Sequence, residues 1–222
     1  MIAIAFALEF ESACFRARHD PRLRVGVWLL GAMGAGAATS LRRRLDASRP
    51  ALLISAGFAG GLQSGLTAGD LVLGENHSDP KIVATLSLDK RWHVGGVSTA
   101  PAILERAEDK KRLGLETGCL AGDLETAQLS GVCAERGLPM LSVRCISDAL
   151  EDDLPVPAEV LLNPQTGRPN PFMLFRYLVS RPSCVTGFGK LLRNAKVAQV
   201  QLAEGLEEIL PQLVRYGVKA PS

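Results

Sequence analysis

Short apolar segments alternate along this chain with longer segments of helical period. The apolar segments are too uniformly hydrophobic for a sheet face exposed to water, so they predict strands that are covered on both faces. The predicted strands are residues 2–7, 25–30, 51–55, 70–73, 81–86 and 140–146. The predicted helices are residues 35–47, 102–113, 124–136, 171–179 and a long helix within 189–214. This alternation is typical of a layered α/β protein.

The chain of 222 residues has the size of a single large domain, and no internal repeat or interdomain linker is visible. Residues 149–171 contain "EDDLPVP" and "NPQTGRPNP" and predict a loop. Because this loop directly follows a strand that ends in Ser147-Asp148, we expect it to form a lid over a site. Residues 172–214 predict a helical tail.

Composition and charge exclude several classes of protein. The chain has 25 Lys and Arg against 23 Asp and Glu, so bulk charge gives no indication of nucleic-acid binding. No apolar run is long enough to span a membrane, and the N-terminus lacks a signal-peptide pattern. The five cysteines are scattered without a CxxC pair, which favours the cytoplasm. The three histidines have no neighbouring ligands at metal-binding spacing, so we expect neither metal nor cofactor.

Two glycine-rich segments follow predicted strands, "GAMGAGAAT" at 31–39 and "SAGFAGGL" at 55–62. The first matches neither a dinucleotide-binding fingerprint nor a P-loop, since the required third glycine and the Lys-Ser/Thr pair are missing. Both segments are interpreted as loops that let backbone amides approach a ligand or let a helix pack closely. Neither of them alone decides the function.

Three acidic residues stand at positions where they could share a site. Glu11 lies just past the first predicted strand, Glu125 begins a predicted helix, and Asp148 ends the sixth predicted strand. Ligands of parallel sheets bind at the carboxyl ends of strands, so Glu11 and Asp148 plausibly face one crevice. Taken singly, each acid could instead cap a helix, complement a helix dipole or lie on the surface, as could Glu9.

The order of these segments resembles the nucleoside phosphorylase superfamily, and within it the methylthioadenosine/S-adenosylhomocysteine nucleosidases. The matching segments are "AIAFALEFE" at 3–11, "GAMGAGAA" at 31–38, "LISAGFAGGLQSGLTAGDLVLG" at 53–74, "GDLETA" at 122–127 and "GLPMLSVRCISD" at 137–148. The resemblance implies a three-layer α/β/α sandwich around a mixed sheet, and cleavage of the N-glycosidic bond between a purine and ribose. It also implies a homodimer or higher homo-oligomer.

The resemblance assigns roles to individual residues. Glu11 would activate the attacking water, while Asp148, assisted by Ser147, would protonate or hydrogen-bond purine N7. The residues that would bind substrate are Glu125 at the ribose hydroxyls, Arg144 near the water and ribose, and Leu124, Phe58, Gly57, Met33 and Ser98. These residue types suit the chemistry, because the leaving purine needs a proton, the oxocarbenium-like sugar needs nearby carboxylates, and the water needs a separate base.

Departures from the family narrow the choice of reaction. Phosphate-using members carry an arginine soon after the first-strand glycine, whereas "FALEFESA" has none, which favours water over phosphate. Phe58 replaces a small hydroxyl residue that is usual in the nucleosidases, so the resemblance does not assign a water contact at this loop. The segment between Gly96 and Gly122 is shorter than in typical nucleosidases and shows no base-contacting phenylalanine in "GVSTAPAIL", so the base pocket near Ser98 is not assigned either. Futalosine hydrolases usually have Asn at the position of Asp148, so Asp148 favours adenine as the base.

Alternatives remain for substrate and function. The tail segment "NPFMLFRYLVSRP" mixes aromatic, aliphatic and basic residues, which suits either a covering helix or a lipid interface. With a lipid interface in its tail, the chain would resemble the short hopanoid-associated nucleosidases of the same superfamily. Its substrate would then be a lipid-linked nucleoside. The alternatives to a nucleosidase are a phosphate-dependent purine nucleoside phosphorylase and a nucleoside-binding protein without activity.

Overall fold

The structure is a computed structural model that describes residues 1–20, 25–31, 33–161, 163 and 170–215. Its strands are β1 (Ile2–Phe6), β2 (Val25–Leu29), β3 (Leu52–Gly61), β4 (Leu71–Gly74), β5 (Trp92–Gly95), β6 (Val97–Thr99), β7 (Ala121–Asp123) and β8 (Met140–Asp148). Its α-helices are α1 (Glu9–Arg18), α2 (Ala35–Ala47), α3 (Pro80–Val83), α4 (Ala107–Thr117), α5 (Thr126–Glu135), α6 (Ala158–Leu161), α7 (Pro171–Ser180) and α8 (Val185–Arg215). Two single turns of 3₁₀ helix lie at Glu75–His77 and Pro182–Cys184.

The strands form one mixed sheet in the order β2-β1-β3-β8-β4-β5. The four strands β2, β1, β3 and β8 are parallel, β4 runs antiparallel to β8, and β5 is parallel to β4. Near its end β3 also pairs with β7, which in turn pairs with β6. The predicted mixed sheet is confirmed.

Helices cover both faces of this sheet and give the predicted three-layer α/β/α sandwich. On one face, apolar side chains of α1 and α8 pack against the strands; Phe15, Leu202 and Leu206 are fully buried there. On the other face, Leu41 of α2 and Leu129 of α5 pack against the sheet. Burial on both faces explains why the strands read as continuous apolar runs rather than alternating ones.

One predicted strand is wrong. Residues 81–86 were predicted as a strand, but the structure places Pro80–Val83 in helix α3. The Asp79 side chain accepts a hydrogen bond from the Lys81 amide at 2.9 Å, and Pro80 stands in the first turn, where its missing N–H costs nothing. Capping chemistry therefore overrides the apolar content, and Trp92–Gly95 pairs with β4 instead.

The second glycine-rich segment is a strand rather than the predicted loop. Strand β3 continues through "SAGFAGG" to Gly61, because β8 pairs with it along almost its full length. The register shifts between Ala59 and Gly60, so that Ser147 is an extra residue and Gly60 pairs with Asp148. Such bulges redirect side chains next to functional sites.

The chain after Asp148 is largely helical. Helix α7 agrees with the predicted 171–179, and α8 begins four residues before the predicted 189 and ends at Arg215. Of the predicted lid at 149–171, residues 162 and 164–169 lie outside the described residues. Its described part contains α6 and an ion pair of 2.6 Å between Asp152 Oδ1 and Lys190 Nζ of α8.

Candidate active site

Glu11 is a buried carboxylate at the end of the first strand. It stands in the first turn of α1, a helix that the hydrophobic pattern did not predict, and only 8% of its surface is exposed. Its Oε2 accepts a hydrogen bond from the Leu8 amide at 2.9 Å, and its Oε1 accepts one from the Phe58 amide at 2.9 Å. Glu9, two residues earlier, is exposed and pairs with Arg16. The surface interpretation therefore holds for Glu9 but not for Glu11.

Gly57 and Phe58 of β3 shape the surroundings of Glu11. A Cβ at position 57 would lie 2.9 Å from Glu11 Oε1, so the carboxylate can approach the strand only because this residue is glycine. The half-buried Phe58 ring packs edge-on against Phe10, with 6.0 Å between the ring centroids. Phe58 thus contributes its amide to Glu11 and its ring to one wall of the site.

Arg144 lies at the centre of β8 and is almost completely buried. Its Nε donates to Asp123 Oδ2 at 2.8 Å, and one terminal nitrogen donates to the Ser55 and Val143 carbonyls at 2.7 and 2.8 Å. The other terminal nitrogen donates to Ser55 Oγ at 2.9 Å and to Thr126 Oγ1 at 2.6 Å. A guanidinium has five N–H groups, so protein acceptors occupy all of them. Arg144 therefore fixes the positions of Asp123, Ser55 and Thr126 around the site.

Glu125 is brought to the same place from the other side. It is the residue before α5, yet its side chain does not cap that helix; Asp123 accepts from the Thr126 amide instead. Glu125 Oε1 accepts a hydrogen bond from the Gly34 amide at 3.2 Å. Gly34 has a φ of +55°, a conformation that favours glycine, so the first glycine-rich loop supplies a backbone donor to this carboxyl group.

Burial and neighbouring negative charges raise the pKa values of Glu11 and Glu125. Burial raises the pKa of Glu125 to about 7, and the negative charges of Glu11 and Asp123 add to this effect. Burial also raises the pKa of Glu11, against the opposing influence of its two amide donors and the Arg144 charge. A carboxylate whose pKa lies closer to neutrality is a stronger base, which suits the activation of water.

A small cavity lies between these groups. Its walls are Ala5, Ala7, Glu11, Ser55, Ala56, Gly57, Phe58, Glu125, Leu129 and Arg144. Five predicted site residues, Glu11, Gly57, Phe58, Glu125 and Arg144, thus surround one space. This is the first centre of the site.

Asp148 and Ser147, at the end of β8 and next to Gly60 of β3, form a second centre that does not line this cavity. Ser147 Oγ donates to Asp148 Oδ1 at 2.7 Å, and Asp148 Oδ2 forms an ion pair with Lys110 Nζ. A Cβ at position 60 would lie 3.2 Å from Asp148 Oδ2, so Gly60 admits this carboxylate to the strand as Gly57 admits Glu11. The next residues form a turn, so Asp148 does not cap a helix.

The two centres are separated by three residues of β3, from Gly57 to Gly60. At about 3.3 Å per residue, the two glycines are roughly 10 Å apart along the strand.

The remaining predicted site residues do not line the cavity. Met33 lies in the glycine-rich loop, where its carbonyl accepts from the Gly36 amide. Leu124 is half-buried between β7 and α5, and Ser98 of β6 pairs with Gly122 of β7. Their predicted contacts with substrate stay predictions.

Sequence reasoning missed the residues that hold the acids in place. Asp123 was not among the candidate site residues, yet it bonds to Arg144, Thr126 and Thr99. Lys110 was not among the candidate site residues either. It lies one helical turn before Gly114 in α4, and both residues face the protein interior. A charged residue on an apolar helical face is the signal that could have found it.

Among the described residues, no group of three or more His, Cys, Asp and Glu side chains is arranged to hold a metal ion. No helix within the described part of the chain is long and apolar enough to cross a membrane.

Comparison with solved structures identifies the fold. The 5′-methylthioadenosine/S-adenosylhomocysteine nucleosidase of Streptococcus pneumoniae, solved with the transition-state inhibitor MT-ImmA, superimposes with a TM-score of 0.67 and 19% identity, covering 96% of this chain and 99% of that one. The nucleosidase of Colwellia psychrerythraea, solved with adenine, gives 0.69 and 15% identity, with coverage of 96% and 95%. Futalosine hydrolase of Helicobacter pylori gives 0.64 and 12% identity, with coverage of 95% and 97%.

This chain has the nucleosidase fold. Neither the models of protein families nor the curated proteins contain a match to its sequence. At these identities the structural likeness establishes the fold, and the activity has to be argued from the site itself.

Proposed function

We propose that this chain is a purine nucleosidase, which cleaves the N-glycosidic bond of a nucleoside with water. The observation that carries the proposal is that two carboxyl groups from different elements approach one strand, Glu11 of α1 at Gly57 and Asp148 of β8 at Gly60. These glycines are roughly 10 Å apart along β3, which is comparable to the length of a nucleoside. Cleavage of this bond needs a base for water on the sugar side and an acid on the purine side. The shared fold with the nucleosidases supports the same assignment.

In this mechanism Glu11 takes a proton from the attacking water, and Asp148 gives a proton to purine N7 as the bond lengthens. Ser147 holds Asp148 through its hydrogen bond of 2.7 Å to Oδ1. Glu125 binds the ribose hydroxyls, and its pKa of about 7 lets it act as donor or acceptor near neutral pH. Arg144 keeps Asp123 and the floor of the site in position.

The charges of the first centre favour water over phosphate as the nucleophile. Three carboxyl groups, Glu11, Asp123 and Glu125, lie around the cavity or its floor, and Arg144 has no N–H left for an anion. The Phe58 amide, a donor that could bind an anion, is occupied by Glu11. A phosphate dianion would meet repulsion without a free cation among the described residues that line this cavity.

Adenine is the base that we propose. The Colwellia psychrerythraea protein with this fold binds adenine, and the carboxyl group of Asp148 can protonate N7, which an asparagine cannot do. Release of free adenine is therefore the expected reaction.

A lipid-linked nucleoside is a second substrate class that the surface favours. Phe172, Phe175 and Val179 of α7 are each about two-thirds exposed, and their spacing places them on one side of the helix. Arg176 and Arg181 lie among them, and basic plus aromatic residues together suit a lipid interface. Homo-oligomeric assembly and a cytoplasmic location belong to the same proposal, the latter supported by five free cysteines.

The test is adenine release, measured by chromatography with methylthioadenosine, adenosylhomocysteine, 5′-deoxyadenosine, adenosine and inosine, each with and without phosphate. Release that is independent of phosphate supports the nucleosidase. Release that requires phosphate would show a phosphorylase, and tight binding without turnover would show a binding protein. Activity only on an adenosyl lipid in vesicles would select the lipid-linked substrate.

A further inference from the structure

Lys110 is the only lysine in the described part of the chain that is fully buried, with 0% of its surface exposed. It lies on α4, and no role in the reaction has been given to it above. Burial of an ammonium group is costly unless every N–H has a partner. The neighbours of Lys110 therefore indicate what the residue does.

All three N–H groups of this ammonium have acceptors. Lys110 Nζ donates to the Ala149 carbonyl at 2.9 Å and to the Asp152 carbonyl at 2.8 Å, and it forms an ion pair with Asp148 Oδ2. The carbonyls belong to the turn that directly follows β8. The charge of Lys110 is thus directed at one carboxylate, and the turn fixes it there.

Helix α4 is itself held against this turn. The Ala107 amide donates to Asp153 Oδ1 at 2.7 Å. Gly114 packs so closely on the residue that follows β3 that a Cβ there would lie 2.3 Å from the Leu62 carbonyl oxygen. The position of Lys110 is therefore set from both ends of the helix, which is how a preorganised electrostatic group is built.

Asp148 has both oxygens engaged, Oδ1 by the Ser147 hydroxyl and Oδ2 by Lys110. When a carboxyl group gives up its proton, negative charge develops on its oxygens. In a buried site this charge is costly without a cation in place, and cations already in position lower the barrier without reorganisation. Lys110 is placed where the charge on Asp148 would form.

We propose that Lys110 is a positioning residue of the reaction, which orients Asp148 and neutralises the carboxylate left after proton transfer to the purine. This inference rests on the proposed function. In the structure Asp148 accepts on both oxygens, as the carboxylate does after the transfer, so it takes up a proton from solvent before the step. In the step, the O–H bond of Asp148 breaks and the N7–H bond of the purine forms, while the C1′–N9 bond breaks and the water oxygen bonds to C1′. Glu11 takes one proton from that water and returns it to solvent, so the turnover balances.

The test compares Lys110→Met with wild type on the best substrate of the nucleoside panel, with kcat and KM measured separately. The maximal kcat falls by roughly 10–100-fold because the developing charge is no longer neutralised. KM changes little, since Lys110 does not touch the substrate.

The neighbouring Lys111→Met is the matched control, because Lys111 is half-exposed and only 3.9 Å from Glu151 in a loose ion pair. It should leave both kcat and KM at wild-type values. If Lys110→Met does not fold, Lys110→Gln replaces it, since an amide can still donate to the two turn carbonyls.

A loss of kcat/KM that comes from KM alone would overturn the inference, because Lys110 would then act on substrate binding and not on the step at Asp148. An additive loss in Lys110→Met combined with Asp148→Asn would also overturn it, since Lys110 acts through Asp148 and should add little once Asp148 is changed. A wild type without turnover would instead overturn the proposed function, and the inference with it.

Discussion

The two centres of this site bury their acids in different ways. In the first, burial raises the pKa values of Glu11 and Glu125, and the charges of neighbouring carboxylates add to this, while Arg144 opposes it only in part because it is ion-paired with Asp123. In the second, Asp148 stands beside an ammonium that has no other carboxylate partner among the described residues. A carboxylate without a free cation beside it is a better base, whereas a cation beside a carboxyl group stabilises the carboxylate that remains after the proton has left. The difference between the centres matches the two halves of the proposed reaction.

The largest effect is expected at the first centre. Glu11→Gln should abolish measurable hydrolysis, at the upper end of the roughly 10²–10⁴-fold range for a general base, while nucleoside binding stays measurable by calorimetry. Glu9→Gln is the control, because Glu9 lies on the same helix and is exposed. Loss of binding or of folding in Glu11→Gln would show that its contacts with Leu8 and Phe58 are structural.

The second centre should respond almost as strongly. Asp148→Asn removes the proton donor and should lower kcat by about 10²–10⁴-fold, measured as adenine release under saturating substrate. Glu151→Gln, three residues further on and exposed, should have no effect. An active Asp148→Asn protein would contradict the assignment of the acid to this centre.

Stability should separate the paired arginine from ordinary surface pairs. Asp123→Ala leaves Arg144 buried without its counter-ion and should lower the free energy of unfolding by about 3–5 kcal/mol in urea titrations. Asp46→Ala breaks an exposed pair with Arg136 and should cost less than about 1 kcal/mol. Equal losses in the two variants would mean that Arg144 is not committed to Asp123.

The smallest effect concerns pH. Glu125 binds its proton more tightly in the folded chain, with a pKa of about 7 against 4.5 for an ordinary glutamate, so folding stability is lost as pH rises through this interval. Glu125→Gln cannot ionise. Relative to wild type, its free energy of unfolding should increase by roughly 1–3 kcal/mol between about pH 5 and pH 8. A constant difference across this range would show that burial does not perturb Glu125.

Much of the fold could be predicted from the sequence, because the hydrophobic patterns of strands and helices are local. Uniform apolar runs predicted β1, β2 and β8, and helical period predicted α2, α5, α7 and α8. The sequence did not predict helix α1 or the short strands β5, β6 and β7. Each of these elements has ten or fewer residues, which is too short for a clear hydrophobic period. The apolar content of residues 81–86 favoured a strand, but the Asp79 cap and Pro80 favour a helix start, and the segment begins as helix α3.

The sequence by itself determined the layered fold and the positions of three acids at strand ends and a helix start, because these positions lie at predictable edges of a sheet. Only the tertiary structure decided how each acid is neutralised. Arg144 turns towards Asp123, and Lys110 reaches Asp148 across 38 residues of sequence. The physical reason is that electrostatic environment depends on burial and on neighbours from distant segments, which no local pattern encodes.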